Sequence, residues 1–242
     1  MSGYRHAIVI GASSGIGHAL AERLAKSGCR VAAIARRKDL LGALAEKYPD
    51  LVFVFEHDVA DTETVPAVFQ EAAKQLGGLD LVIYTAGVMP EVGAMEFCFE
   101  KDRAMVEVNL LGAIAWLNQA AIRFQNTRHG TIVGIGSVAG DRGRCGQPVY
   151  NATKAALATY LEALRNRLAR RGVRVVTIKP GPVQTEMTAR LHLRGAMSAE
   201  AAARLILIKS RRTGEHYLKF GHWLAFGIIR NIPSAIFRRL RV

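Results

Sequence analysis

Cysteine is scarce in this chain, and the few cysteines that occur are widely separated. Only Cys29, Cys98 and Cys145 are present in 242 residues. No Cys-x-x-Cys pair or Cys/His cluster accompanies them, so the sequence supports neither a disulfide framework nor a zinc centre. A chain without a disulfide framework is typical of a reducing compartment, and we therefore expect a cytoplasmic protein.

Long apolar runs are also lacking. No stretch of about 20 consecutive apolar residues occurs, which predicts that no helix spans a membrane. The first apolar stretch, Ile8 to Ile10, is too short for the core of a signal peptide. No repeat or low-complexity segment divides the sequence, and half of its residues are hydrophobic. These features indicate one sizeable core.

Acidic residues are outnumbered by basic ones, 20 to 33, which gives a formal net charge of +13. Such a charge suits an anionic cofactor, an anionic lipid surface or a nucleic acid. The excess is concentrated near the end of the chain. From Arg204 onward there are nine lysines and arginines and one acidic residue, Glu215.

Short apolar runs alternate with helical patterns along most of the chain. This alternation predicts an α/β fold, a single doubly wound Rossmann-like domain whose parallel sheet is flanked by helices. The predicted strands are 6–10, 30–35, 51–55, 79–84, 131–135 and 173–179, and the predicted helices are 18–27, 39–48, 64–76, 97–124, 150–171 and 198–207. We expect this catalytic domain to occupy residues 1–207 and a distinct segment to occupy residues 208–242.

A glycine-rich loop follows the first predicted strand and precedes the first helix. Glycines allow the backbone to approach a ligand closely, and a helix N-terminus favours negative charge. The loop therefore predicts a pyrophosphate site, although its spacing is G-x-x-x-G-x-G rather than G-x-G-x-x-G. Its candidate binding residues are Gly11, Ser13, Ser14, Gly15, Ile16 and Gly17.

Two arginines follow the second predicted strand. An acidic residue about 20 positions beyond the glycines binds a ribose 2′-hydroxyl, whereas an arginine there accommodates a 2′-phosphate. Here Ala35 is followed by Arg36 and Arg37, which favours NADP(H) over NAD(H), with a solvated helix start as the alternative. After the third strand, Asp58 is placed to accept from an adenine amino group or to cap the following helix.

Tyr150 and Lys154 stand four residues apart. On a helix this spacing places both side chains on one face. An ammonium beside a phenol is expected to lower the phenol's pKa and to make it a usable general acid and base. Ser137 ends a preceding apolar strand, at the sheet edge where ligands bind. Asn109, within the long apolar helix, needs a hydrogen-bond partner, either as a core residue or in a functional role.

Taken together, these motifs resemble the short-chain dehydrogenase/reductase family over roughly residues 5–207. The quoted motifs are Gly11 to Gly17, Thr85-Ala-Gly87, Asn109, Ser137, Tyr150-x-x-x-Lys154 and Pro180-Gly-Pro-Val-x-Thr185. The resemblance implies that Tyr150 is the general acid/base, Lys154 lowers its pKa and holds the nicotinamide ribose, Ser137 polarises a carbonyl, and Asn109 positions a water. It further implies cofactor contacts at Asp58, Val59, Ala86, Gly87, Pro180, Gly181, Val183 and Thr185, with Tyr150 and Lys154 shared.

The implied activity is hydride transfer between NADP(H) and a carbonyl or secondary alcohol, with no metal required, in a homodimer or homotetramer. Two positions depart from the family pattern, because Ile10 stands where threonine is usual and Thr85 where asparagine is usual. Both put the rigidity of the cofactor loops in doubt. The alternatives are a non-catalytic nucleotide-binding regulator, expected to lack Tyr150 or Lys154, and an isomerase or dehydratase, expected to carry a larger C-terminal domain.

Two further expectations concern the substrate and the end of the chain. Apolar residues in the loop 186–197 suggest an apolar ligand, namely Met187, Leu191, Leu193 and Met197. The segment 208–242 is basic, apolar and split by Pro233. Its composition is typical of a helix at a membrane surface, and a substrate lid or a subunit interface are the alternatives. The mixture of charge with apolar residues argues against nucleic-acid binding.

Overall fold

The computed structural model describes residues 3–93, 95–191 and 195–240, and most of its strands form one seven-stranded parallel sheet. In chain order the strands are β1 (His6–Ile10), β2 (Arg30–Ala35), β3 (Val52–Glu56), β4 (Leu81–Tyr84), β5 (Gly130–Ile135), β6 (Val173–Lys179), β7 (Val183–Gln184), β8 (Met197–Ser198) and β9 (Gly214–Tyr217). The large sheet has the order β3-β2-β1-β4-β5-β6-β9, and β7 pairs with β8 separately. The predicted doubly wound α/β fold is confirmed.

Helices cover both faces of this sheet. They are α1 (Gly15–Lys26), α2 (Lys38–Lys47), α3 (Val65–Leu76), α4 (Phe99–Val106), α5 (Gly112–Thr127), α6 (Pro148–Leu168), α7 (Ala199–Lys209), α8 (Phe220–Asn231) and α9 (Ser234–Phe237). Side chains alternate along a strand, so Ala7 and Val9 join the core under α1, α2 and α7, whereas Ile8 and Ile10 join the core under α3, α5 and α6. Burial on both faces explains why the strands are continuously apolar.

The long predicted helix 97–124 is continuous from Phe99 to Thr127 but contains a π-helical segment, Glu107–Leu111. By length and composition alone, this helix could cross a membrane, although the sequence had indicated no such segment. Trp116, Leu117 and Phe124 are fully buried in the core beneath the sheet. Its apolar character is therefore that of a core helix.

The last strand lies beyond the boundary expected from the sequence. β9 pairs in parallel with β6, in a register that joins Val176 to Gly214 and Lys179 to Tyr217. Tyr217 and the following Leu218 are buried. A boundary at residue 207 is therefore too early, because residues 214–217 belong to the sheet. Glu215 and His216 occupy half of this short strand, so no apolar run marked it.

Candidate active site

A cavity of about 620 Å³ opens where β1 to β6 end. This is the edge at which open α/β sheets bind ligands, near the point where strand order reverses between β1 and β4. Its wall contains every predicted site residue except Asn109: Gly11, Ser13, Ser14, Gly15, Ile16, Gly17, Arg36, Arg37, Asp58, Val59, Ala86, Gly87, Ser137, Tyr150, Lys154, Pro180, Gly181, Val183 and Thr185.

The glycine loop forms a cradle that side chains would close. Gly11 has a φ of +88°, and a Cβ atom there would lie 2.6 Å from the backbone nitrogen of Ala86. A Cβ atom at Gly17 would collide with the carbonyl oxygen of Gly11. Ser14, which precedes α1, makes no side-chain cap, so the first N–H groups of that helix remain available to an anion. The loop thus fits a dinucleotide pyrophosphate.

Thr85, one of the two departures from the family pattern, braces this loop. Its hydroxyl donates to the carbonyl oxygen of Ile10 at 2.6 Å and lies 3.2 Å from that of Gly11. Its backbone nitrogen also donates to Ile10. The threonine hydroxyl therefore links the end of β1 to the segment after β4. The loop is braced at this position although the usual asparagine is absent.

The two arginines differ in their contacts. Arg37 donates to the hydroxyl of Ser14 at 2.6 Å and to that of Ser13 at 3.1 Å, and it pairs with Glu186 at 2.9 Å. Arg36 lies 3.5 Å from a carboxylate oxygen of Asp58. Both side chains face the cavity beside the glycine loop. Of the two arginines, Arg37 is thus the one in direct contact with the loop.

Asp58 pairs with Arg36 and also stabilises the turn in which it lies. Its Oδ1 accepts from the backbone nitrogen of Ala60 at 3.0 Å. Helix α3 begins only at Val65, so Asp58 does not cap it. The predicted contact with an adenine amino group remains a prediction.

Tyr150 and Lys154 lie together on α6, but the expected electrostatics are wrong in one respect. Lys154 donates from Nζ to the carbonyl oxygen of Ile135 at 3.1 Å, and its Nζ lies 5.7 Å from the centre of the Tyr150 ring. Burial lowers the pKa of Lys154 to about 8. Burial also raises the pKa of Tyr150 above its ordinary value, and this outweighs the opposing hydrogen bond from Ser137 and the charge of Arg144. The predicted fall in the pKa of Tyr150 is not present.

Ser137 lies between β5 and a short 3-10 turn, Val138–Asp141. Its hydroxyl oxygen accepts from the backbone nitrogen of Ala139 at 3.0 Å, which fixes the side chain at the start of that turn. This bond uses the oxygen as an acceptor, so the hydroxyl proton remains available to donate. Ser137 and Tyr150 both line the cavity, and the Ser137 hydroxyl opposes the effect of burial on the pKa of Tyr150.

Asn109 lies behind the cavity, at the centre of the π-helical segment, and is fully buried. Its Oδ1 accepts from the backbone nitrogen of Val88 at 2.7 Å, and its Nδ2 donates to the Val88 carbonyl oxygen at 3.0 Å. Nδ2 also lies 3.3 Å from the hydroxyl of Thr153 on α6. Asn109 thus joins the segment after β4 to α6, and a role in positioning water stays a prediction.

The substrate end of the cavity is mostly apolar. Met187 and Leu191 line it as predicted, whereas Met197 belongs to β8 and packs against the core. Leu193 lies outside the described residues. Sequence reasoning missed the lining residues His57, Met89 and Arg144. Arg144 could have been found, because it is a basic residue between Ser137 and Tyr150.

The C-terminal helices close one side of this region. His222 on α8 lies so near Gly181 that a Cβ atom there would collide with its ring. Arg142, just after the Ser137 turn, donates to the carbonyl oxygens of Arg230 and Ile232 and stacks on the ring of Phe237. The tail therefore packs on the two loops that follow β5 and β6.

The sheet, the pyrophosphate cradle and the Ser–Tyr–Lys set define an oxidoreductase that uses a nicotinamide cofactor. The short chain dehydrogenase family model matches residues 5–194. An uncharacterized oxidoreductase of Myxococcus xanthus is 40% identical over 189 residues, which cover 77% of this chain and 75% of the relative. The chain belongs to the short-chain dehydrogenase family and is an NAD(P)-dependent enzyme of that family.

Solved structures agree on the fold. ElxO with NADP bound is 20% identical, with a TM-score of 0.82 over 91% of this chain and 99% of that chain. A ribose-5-phosphate isomerase from Brucella melitensis is 26% identical, with a TM-score of 0.80 over 93% and 96%. These likenesses establish the architecture and do not define a substrate.

Proposed function

We propose that the protein is an NADP(H)-dependent carbonyl reductase that also catalyses the reverse oxidation of a secondary alcohol. The proposal is carried by one observation, the convergence of Ser137, Tyr150 and Lys154 on a cavity whose other end holds two arginines beside a glycine loop. When bound, the cofactor would supply a hydride to the carbonyl carbon. Its pyrophosphate would lie against the Gly11–Gly17 loop and its ribose near Lys154.

The chain's own residues handle the proton. Because burial raises the pKa of Tyr150, its phenol is protonated near neutral pH and is ready to donate to an oxygen that gains negative charge. The Ser137 hydroxyl donates a second hydrogen bond to that oxygen. Lys154, held by Ile135, presents its ammonium beside the ring of Tyr150.

A cofactor-oxidation assay tests this function. The protein is mixed with NADPH and a panel of ketones and aldehydes, and the loss of NADPH absorbance is measured. We expect turnover of at least one carbonyl compound. Binding of NADPH without turnover of any of them would favour the regulator, and conversion of a nucleotide sugar without net NADPH oxidation would favour an isomerase or dehydratase.

Arg36→Ala is expected to weaken NADPH binding about ten- to a hundredfold, since a charge-assisted pair to a phosphate is worth roughly 1.5–3 kcal/mol. Binding of NADH, which has no 2′-phosphate, should barely change. Both dissociation constants are measured by fluorescence titration, for Arg36→Ala, for Arg37→Ala and for the control Lys74→Ala. Lys74 is an exposed lysine of α3 outside the cavity wall. Tighter binding of NADH than of NADPH by the unmodified protein would refute the proposed preference.

We also propose a homodimer or homotetramer. Apolar side chains on and before the long helix support it, because Phe97 is 91% exposed and Phe99 and Ile122 are largely exposed in one chain. Light scattering of the purified protein measures the mass directly.

Peripheral contact with an anionic membrane on the cytoplasmic side is proposed from α8. Phe220, Trp223, Leu224 and Ile228 form an exposed apolar stripe on this helix, and no acidic residue follows Glu215. Several other apolar and basic residues of the segment 208–242 do not belong to this stripe. Phe226, Ile229 and Phe237 are half-buried, Arg230 pairs with Asp141 and Glu215, and Arg241 lies outside the described residues. The surface is therefore smaller than the sequence indicated.

Trp223→Ser combined with Ile228→Ser should abolish flotation with anionic vesicles. Burial of apolar area and about 1 kcal/mol from each nearby lysine or arginine favour binding of the intact protein at low salt. Ile208→Ser, which removes an exposed isoleucine of α7, is the matched control and should float normally. If the intact protein stays unbound at low salt, the membrane proposal is wrong and the stripe serves as a lid or an interface.

A further inference from the structure

We propose that Arg144 recognises the substrate by binding a carboxylate or similar anionic group that the substrate carries near its reactive carbonyl. This inference rests on the proposed reductase function and names its substrate class. The substrate would be an amphipathic oxo acid, with an apolar body and one negative charge.

In the sequence, Arg144 lies between Ser137 and Tyr150, the two residues whose hydroxyls are proposed to act on the substrate. It follows the turn that begins at Ser137 and precedes α6, which carries Tyr150. Its side chain lines the same cavity as those two residues and Val138. The positive charge of Arg144 lowers the pKa of Tyr150 and so opposes the effect of burial. This indicates that the guanidinium lies close to the phenol.

In the part of the chain that the structure describes, the Arg144 guanidinium has an unpaired nitrogen. Its Nε is buried and has no hydrogen-bond partner within the described residues. None of the ion pairs found in the described ranges includes Arg144. A buried donor without an acceptor costs free energy, and at a functional site a ligand can supply the acceptor.

Arg142, two residues earlier, shows what a structural arginine does in this loop. It donates to two carbonyl oxygens and to the hydroxyl of Ser234, and it stacks on Phe237. Within the described residues, Arg144 makes none of these side-chain contacts. The two arginines therefore have different roles.

The backbone that carries Arg144 is held in place. Asn151 on α6 donates from Nδ2 to the carbonyl oxygens of Arg144 and Gly146, at 3.3 and 3.1 Å. Gln147 donates to the carbonyl oxygen of Pro90 at 3.0 Å. An arginine on a fixed loop loses little conformational freedom on binding, which suits a recognition residue.

The other residues that line this end of the cavity are apolar, and they are the reason for proposing a substrate with an apolar body. Val88, Met89, Met187 and Leu191 line it. Lys154, the other cation near the reacting centre, already donates to the carbonyl oxygen of Ile135, whereas the guanidinium of Arg144 matches a carboxylate with two parallel hydrogen bonds. A neutral ketone of the same shape would leave the buried Nε unpaired.

The test compares Arg144→Met, Arg144→Lys and the control Arg170→Met, which removes an exposed arginine far along the chain in the Ala169–Arg171 turn. Each is assayed with NADPH on medium-chain oxo acids and on their methyl esters. We expect Arg144→Met to lower kcat/KM for the acids about ten- to a hundredfold, mainly through KM, and to lower it far less for the esters. Arg144→Lys should restore part of the loss, and Arg170→Met should behave like the unmodified protein.

An equal fall for acids and esters would overturn the inference, because it would show a structural role. An unchanged acid-to-ester ratio would overturn it as well. If no carbonyl compound is reduced, the proposed function fails, and binding is then tested separately by thermal stabilisation. Stabilisation of the unmodified protein by oxo acids but not by esters, lost in Arg144→Met, supports the inference, and its absence overturns it.

Discussion

Tyr150→Phe is expected to lower the rate of the proposed carbonyl reduction by about two to four orders of magnitude, which is the usual contribution of a positioned general acid. The substitution removes one hydroxyl and keeps the ring that packs beside Lys154. Cofactor binding should therefore be nearly unchanged. The turnover number is measured with saturating NADPH and the best carbonyl substrate, and cofactor affinity is measured by titration.

Tyr160→Phe is the matched control for this experiment. Tyr160 lies on the same helix, and its hydroxyl donates to Asn118 at 2.9 Å, outside the cavity wall. The same chemical change there should leave turnover intact. Retention of most of the rate by Tyr150→Phe on any good substrate would show that another group transfers the proton.

The rates of carbonyl reduction and of alcohol oxidation should change in opposite directions as pH rises. Because the pKa of Tyr150 is raised, the protonated phenol that reduction requires persists through neutral pH and is lost only as pH rises through that raised pKa. Alcohol oxidation requires the deprotonated phenol, so its rate should increase as pH rises. Lys154, with a pKa of about 8, begins to lose its charge earlier in the same range.

Much of the fold could be predicted because it depends on apolar periodicity. Strands buried on both faces appear in the sequence as short continuous apolar runs, and all six predicted strands are present within two residues of their expected bounds. The cavity could also be anticipated, since the glycine loop, Ser137 and Tyr150 each follow or precede a recognisable element. Their catalytic roles remain predictions.

What could not be predicted depends on contacts between distant residues. The strand β9 is short and half polar, and only its pairing with β6 identifies it. The brace from Thr85 to Ile10 joins residues 75 positions apart. The pKa of Tyr150 depends on how deeply the folded chain buries it, which helical spacing does not reveal. Likewise, the composition of the tail did not show which of its apolar residues face the protein.

A buried ionic cluster ties that tail to the active site. Lys179, at the end of β6, is 2% exposed and lies 2.5 Å from Asp141 and 2.8 Å from Glu215. The Asp141 side chain is fully buried, and it accepts from the hydroxyl of Tyr217 at 2.8 Å. Arg230 of α8 lies 3.5 Å from the same carboxylate. The cluster thus joins the Ser137 turn, the strand before Pro180, β9 and α8.

Asp141→Ala is therefore expected to lower the free energy of unfolding by about 3–5 kcal/mol, because it leaves the buried ammonium of Lys179 without its nearest counter-charge. For a chain of this size, that loss corresponds to a fall in Tm of roughly 6–20 °C. The double variant Asp141→Leu with Lys179→Met should recover part of the loss, since it also removes the buried ammonium that Asp141 neutralises. Thermal and denaturant unfolding measure all of these changes.

Lys47→Met provides the matched control, because Lys47 pairs with Glu22 at 2.6 Å on the exposed surface. Water screens such a pair, so this variant should unfold almost as the unmodified protein does.

The cluster also predicts which parts of the protein are affected when Asp141 is replaced. Asp141 is the last residue of the turn that begins at Ser137, so Asp141→Ala should increase proteolytic cleavage of the tail and reduce turnover together. Loss of stability equal to that of Lys47→Met, with an intact tail, would show that the cluster does not couple the C-terminal helices to the catalytic loops.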